Sequence, residues 1–195
     1  MSIENELKKI EEYAKENHVP IMEKEGITFL TDYIQKHSIK TILEIGSAIG
    51  YSAIKMALLD PEIQVVTIER DEERYKEAVK NREIFHLEKQ ITLLYQDAFD
   101  VELNDQFDLI FIDAAKSQYV KFFEKFKKNL KKDGVIISDN LNFHGYTHQK
   151  ERIQSKNLRQ LVGKIRNYIQ FLEENEEFET SFFDIGDGIG VSKRR

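Results

Sequence analysis

The spacing of hydrophobic positions changes several times along this 195-residue chain, and each change marks an element. Over residues 4–17, Leu7, Ile10, Tyr13 and Ala14 recur at helical spacing in an otherwise charged segment, which predicts an amphipathic helix. After Val19-Pro20 the same spacing returns over residues 26–36, with Ile27, Leu30 and Ile34 on one face. Short continuous apolar runs follow at 41–46, 64–69, 91–95, 107–113 and 134–139, the pattern of strands buried on both faces. Helical patterns around 52–59, 71–85 and 119–130 separate them. Strand and helix in alternation predict an α/β fold with a doubly wound, mostly parallel sheet and helices on both faces. The tail differs: a helical stretch at 158–174 precedes two β-rich runs, 178–185 and 189–193, around Gly186-Asp187-Gly188. These predict an antiparallel hairpin at the sheet edge, giving seven strands in all.

Composition narrows the possibilities. The chain length fits one domain, residues 1–195, with a helical extension at about 1–38. There is no Cys, so disulfides, thiolate zinc sites and covalent thiol catalysis are excluded. No apolar run reaches the roughly 18–20 residues of a membrane span, and the first residues lack a basic-then-apolar signal pattern. A soluble, cytoplasmic protein with no membrane partner is the expectation. The net charge of −6 is unevenly spread, because residues 114–166 hold thirteen Lys/Arg against four Asp/Glu. A basic region on an acidic body suits a polyanionic partner, and solvated helix faces would give the same count.

The candidate chemistry lies at the strand ends. Asp113 closes Phe-Asp-Leu-Ile-Phe-Ile-Asp, and Asp139-Asn140 closes Val-Ile-Ile-Ser-Asp-Asn, with Lys116 beside the first. In an open α/β sheet these oxygens meet at the carboxyl ends of the strands, where such folds bind ligands. Two carboxylates and an amide oxygen suit a hard divalent cation, Mg²⁺ or Mn²⁺, that keeps positions open for substrate. Upstream, Leu43-Glu44-Ile45-Gly46-Ser47-Ala48-Ile49-Gly50-Tyr51-Ser52 joins the first strand to its helix. Gly46 and Gly50 permit a tight turn, and the helix start offers free N–H groups, although an ordinary strand-helix turn also explains the loop. Glu69 ends the second strand about 20 residues later, where an acid can accept both ribose hydroxyls of a nucleotide; NAD enzymes share that feature. Asp97-Ala98 follows the third strand, where a carboxylate can meet an adenine amino group. His18, His37 and His86 read as surface residues, whereas His144 and His148 lie in a loop bordering the acid-amide pair.

Taken together, Leu-Glu-Ile-Gly-x-x-x-Gly-Tyr-Ser, Ile-Glu-Arg-Asp, Gln-Asp-Ala, Phe-Asp-Leu-Ile-Phe-Ile-Asp-Ala-Ala-Lys-x-x-Tyr, Ser-Asp-Asn and Gly-Asp-Gly-Ile-Gly-Val-Ser-Lys resemble the cation-dependent O-methyltransferases, the catechol and caffeoyl-CoA group. The resemblance spans nearly the whole chain. It implies a class I methyltransferase, Rossmann-like fold and S-adenosyl-L-methionine as cofactor. It places Met22, Glu44, Gly46, Tyr51 and Ser52 near the methionine part, Glu69 at the ribose, and Ala98 with Asp97 at the adenine. Asp113, Asp139 and Asn140 match the metal ligands, Asp113 also bordering the cofactor, and Lys116 matches the catalytic base. A divalent ion chelated by two adjacent substrate oxygens acidifies the attacking hydroxyl, so no covalent enzyme intermediate is needed. Related proteins are often homodimers.

The substrate is open between two classes. Residues 148–166 hold six Lys/Arg against Glu151 alone, beside the metal crevice. That segment is similar to the bacterial enzymes that convert 5-hydroxyuridine at the tRNA wobble position to 5-methoxyuridine. An anticodon loop can splay a base onto aromatic residues, with Tyr119, Phe143, His144, Arg152 and Arg159 as candidate contacts. Small vicinal diols are the alternative. From other classes, an NAD-dependent oxidoreductase and a non-catalytic nucleotide-binding module also remain.

Overall fold

A computed structural model describes residues 2–142 and 155–195. Its elements run α1 (Ile3–Glu16), α2 (Lys24–Lys36), β1 (Thr41–Ile45), α3 (Tyr51–Ala57), β2 (Gln64–Glu69), α4 (Glu72–Ile84), β3 (Ile91–Tyr95), β4 (Phe107–Ile112), α5 (Tyr119–Phe126), β5 (Leu130–Ser138), α6 (Lys156–Glu173), β6 (Phe178–Phe183) and β7 (Ile189–Arg194). Three helix starts carry oxygen caps. Ser2, Asp71 and Ser155 accept the third-position N–H of α1, α4 and α6.

The strands form one sheet in the order β3-β2-β1-β4-β5-β7-β6. The first five pair in parallel, and β7 enters antiparallel between β5 and β6. This is the mostly parallel, seven-stranded sheet with a closing antiparallel hairpin that the sequence patterning predicts. Alternate residues of β1 and β4 face opposite sides: Ile42, Leu109 and Phe111 join a core with α1, α2 and α3. Leu43, Ile110 and Ile112 join a second core with the aromatic faces of α5 and α6. The strands are therefore buried on both faces, as their unbroken apolar runs require. At the opposite edge of the sheet, Asp108 accepts the backbone N–H groups of Lys40 and Thr41 at 3.1 and 2.8 Å, which holds β1 and β4 in register. Among the described residues no helix is long and apolar enough to cross a membrane.

One boundary moves. Apolar spacing predicts a helix through residue 130 and a strand from 134, but α5 stops at Phe126 and a 3-10 turn, Lys127–Asn129, follows. The Asn129 amide donates to the carbonyls of Leu103 and Asp105 at 2.8 and 3.0 Å, drawing the chain out of helix. Leu130 then already pairs with Phe107, and an irregularity absorbs the intervening residues before Val135 pairs with Leu109.

The β6–β7 turn reaches back over the carboxyl edge of the sheet. Leu141 N–H donates to the Gly188 carbonyl at 2.9 Å and Asn142 N–H to that of Asp187 at 2.7 Å. Gly188 has φ +86°, and a Cβ there would lie 2.6 Å from the Asn142 nitrogen. Gly188→Ala is expected to lower stability by about 2 kcal/mol or more, from left-handed strain plus overlap. Gly163, inside α6, has nothing within 4 Å of a built Cβ among the described residues. Gly163→Ala is expected to raise stability by roughly 0.5–1 kcal/mol. Urea denaturation of the two variants checks both signs.

Candidate active site

The carboxyl ends of β1, β2 and β4 open onto a cavity of about 270 Å³, roofed on one side by the Pro20-Ile21-Met22 linker between α1 and α2. The loop after β1 forms its floor. Gly46 has φ +98°, and any side chain there would overlap the Asp113 carbonyl, so the strand ends can approach only because this residue is Gly. Ala48 adopts φ 45°, a left-handed conformation where a Gly would be the ordinary choice. Its N–H is held by Glu69 Oε2 at 2.8 Å. Glu69 Oε1 accepts the N–H groups of Arg70 and Asp71, each at 2.9 Å. One carboxylate thus fixes the loop and lines the cavity, with lone pairs left for a ribose hydroxyl.

Met22, Gly46, Tyr51, Ser52, Glu69, Asp97 and Ala98 all line this one cavity. Asp97 caps the Phe99 N–H at 2.9 Å and pairs with Arg70 at 3.3 Å. Glu44 does not reach the cavity. It is fully buried beneath the loop, accepting the hydroxyls of Ser52 and Thr67, and burial pushes its pKa up to about 7 against those two bonds. Its place is to support Ser52 rather than to touch a ligand. Tyr51 brings in a residue that sequence patterning did not mark: its hydroxyl donates to Glu11 Oε1 at 2.7 Å, tying α1 to the start of α3. Burial, then the Glu11 bond, raises the Tyr51 pKa.

Asp113, Asp139 and Asn140 converge from the ends of β4 and β5. The Asn140 amide nitrogen lies 3.3 Å from Asp113 Oδ1 and 2.7 Å from Asp139 Oδ2. Asn140 has φ 65°, a left-handed position that Asn tolerates better than most residues. Burial raises the pKa of both acids, and Asp113 further raises that of Asp139 while Lys116 opposes the shift in each. Asp139 Oδ1 is buried with no hydrogen-bond partner among the described residues. Two acceptor-rich groups forced together, one with an orphaned oxygen, fit a divalent cation; rotation of the Asn140 amide by 180° would present its oxygen as the third ligand. Among the described residues no group of three His, Cys, Asp or Glu side chains could hold a metal, so a cation here would take two carboxylates and an amide.

Lys116 lies in a 3-10 turn, Lys116–Gln118, and lines the same cavity as Asp113 and Asn140. Tyr119 is 1% exposed, its ring edge-on to Tyr168, so it stands behind the carboxylates rather than on the open wall. Tyr168 in turn shares a 2.6 Å hydroxyl bond with Ser138, the residue before Asp139. Helix α6 thereby packs on the turn that carries Lys116. Phe143, His144, Tyr146, His148 and Arg152 lie outside the described residues. Arg159 is exposed in the first turns of α6. His18, His37 and His86 are on the surface.

The basic count over residues 114–166 shrinks in three dimensions. Lys125 and Lys128 pair with Glu102, Lys127 with Glu124 and Glu177, and Lys131 with Asp108. All but one of these acids are distant in sequence, so a local count could not include them. Lys156, Arg159, Lys164 and Arg166 of α6 remain exposed.

Comparison with known proteins agrees with this geometry. A family model described as O-methyltransferase matches residues 2–195. A caffeoyl-CoA O-methyltransferase of Populus kitakamiensis is 29% identical over 175 residues, 85% of this chain and 74% of that protein. A Staphylococcus aureus structure, provisionally described as a caffeoyl-CoA O-methyltransferase, is 35% identical with a TM-score of 0.92, over 97% of this chain and 92% of that one. The O-methyltransferase of Bacillus cereus, solved in complex with SAH, is 25% identical with a TM-score of 0.82, over 98% and 91%.

Glu44 generates a pH signature. Its folded pKa of about 7 exceeds its ordinary 4.5, so the folded protein keeps a proton that the unfolded chain releases. The resulting stability is full below pH 4.5 and is lost as pH rises through 7. Relative to Glu44→Gln, the wild type is expected to lose up to about 3 kcal/mol over that window, read by urea denaturation at a series of pH values.

Proposed function

Since this chain belongs to the O-methyltransferase family, we propose that its S-adenosylmethionine-dependent methyl transfer requires a divalent metal and that its acceptor is the 5-hydroxyl of 5-hydroxyuridine in a tRNA anticodon loop. The NAD-dependent oxidoreductase reading falls with the family assignment. The metal requirement is supported by the Asp113, Asp139 and Asn140 set with its orphaned Asp139 oxygen. The substrate reading is carried by one observation: the exposed basic residues of α6 lie on the helix that packs against the Lys116 turn.

The roles follow from placement. S-adenosylmethionine would supply an activated methyl group, and the Gly46 loop, Tyr51 and Glu69, which line the cavity together with Asp113, would hold it. A divalent cation, held by Asp113, Asp139 and Asn140, would supply Lewis acidity toward two adjacent acceptor oxygens such as the 5-hydroxyl and 4-carbonyl of the base. Lys116 Nζ takes the hydroxyl proton as the oxygen becomes nucleophilic. The base pocket need only exclude water, and the basic helix positions phosphates without reading sequence.

A second reading has its own support. The Populus kitakamiensis relative carries the name of a caffeoyl-CoA enzyme, and four lysines of the basic stretch are already paired. A small vicinal diol would then be the acceptor, with α6 merely solvated.

Lys116→Ala is expected to lower turnover by roughly 10²–10⁴-fold while S-adenosylmethionine binding, read by calorimetry, stays unchanged. Substantial residual turnover would remove Lys116 as the base. The substrate is decided by nucleoside mass spectrometry on tRNA from a deletion strain complemented with wild type or Asp113→Ala. Build-up of 5-hydroxyuridine, relieved only by wild type, is the expected result; an unchanged profile in a strain that makes 5-methoxyuridine moves the acceptor to a small diol. In vitro, Lys156→Ala with Arg159→Ala should raise the KM for tRNA and reduce its salt slope by about 1–2 without affecting cofactor affinity.

A further inference from the structure

Asp187 occupies the turn between β6 and β7, flanked by Gly186 at φ +55° and Gly188 at φ +86°. Such turn acids are ordinarily solvated, because their type favours exposed turns. This one is 6% exposed. Its own backbone carbonyl and that of Gly188 take the N–H groups of Asn142 and Leu141, the residues that follow Asp139-Asn140 directly. Gly188 cannot acquire a side chain without striking Asn142, so the contact between turn and loop is close-packed. The Asp187 carboxylate stands near enough to Asp113, Asp139 and the Tyr119 hydroxyl to act electrostatically on all three. That hydroxyl is itself buried with no hydrogen-bond partner among the described residues.

Three ionised carboxylates carry an excess of negative charge whether or not Lys116 holds a proton, and a divalent cation would reduce it. Asp187 does not complete a ligand set with Asp113 and Asp139. We propose that Asp187 is a positioning residue of the metal site, its carboxylate accepting hydrogen bonds from water on the cation while its backbone holds the Asp139-Asn140 loop in place. The inference rests on the metal-dependent reading given above. Partners of this kind orient the ligands and complete the charge balance, and their loss typically weakens metal binding without abolishing it.

The test is Mn²⁺ binding to the full chain, followed by electron paramagnetic resonance and calorimetry, with S-adenosylhomocysteine affinity and thermal melting as controls. Asp187→Asn keeps the shape of the side chain and all the backbone bonds. It is expected to weaken Mn²⁺ binding about 10–100-fold and to alter the spectrum of the bound ion, with cofactor affinity within twofold of wild type. Asp187→Glu, which restores the charge, should recover part of the affinity. Unchanged Mn²⁺ affinity in Asp187→Asn, with wild type binding and Asp113→Ala not, overturns the role of Asp187 and leaves the metal reading standing. Failure of wild type to bind Mn²⁺ at all overturns both. Parallel loss of metal and cofactor binding with a lowered melting temperature would make Asp187 a fold residue only and also overturns the proposal. If Asp187→Asn does not fold, Asp187→Ser replaces it under the same criteria, since the turn's backbone bonds do not need the side chain.

Discussion

Moving an ionised carboxylate out of water costs several kcal/mol unless a partner compensates, and one edge of this sheet gathers four carboxyl groups, Glu44, Glu69, Asp113 and Asp139. Each strand end answers that cost differently. Glu69, after β2, spends its lone pairs on three backbone N–H groups. Glu44, inside β1, accepts two hydroxyls and still holds its proton more tightly than an ordinary glutamate. Asp113 and Asp139, after β4 and β5, take one side-chain amide between them, and burial leaves both with a raised pKa against the nearby Lys116. Along the edge, compensation passes from backbone N–H groups to hydroxyls to a single shared amide. Compensation is thus weakest at the pair proposed above to hold a metal.

That gradient depends on backbone conformations that side chains resist. The loop after β1 and the loop after β5 both cross the left-handed region at a residue with a side chain, Ala48 and Asn140. Neither is strained without support: Ala48 is held by Glu69, and the Asn140 loop by the Asp187-Gly188 turn. The cofactor loop and the candidate metal loop are therefore each braced by an acid-bearing element from elsewhere in the chain.

Much of this was legible in sequence because it is local. Apolar runs buried on both faces, the acids that close them, and the Gly-Asp-Gly turn appear as short patterns with fixed spacing. What could not be read is what distant segments do to each other. The end of α5 is set by the Asn129 bonds to Leu103 and Asp105, not by any breaker within the helix. The charge of the 114–166 stretch is trimmed by Glu102, Asp108 and Glu177. The family resemblance placed Glu44 near the cofactor, yet strand alternation turns it under the loop. Asp187 looked like an ordinary turn acid because nothing local marks burial.

Strand β7 carries a consequence for the order in which the molecule is made. It lies between β5 and β6, and its turn supplies the two carbonyls that pin residues 141 and 142. As the ribosome releases the chain from its amino end, β1 to β5 can find one another as soon as residue 138 has emerged. Among the described residues, the loop bearing Asn140 is braced by the turn at residues 187 and 188. A nascent chain halted between those points would hold β1 to β5 together and still lack that brace, so the loop after β5 is settled by a segment translated later than the strands it follows.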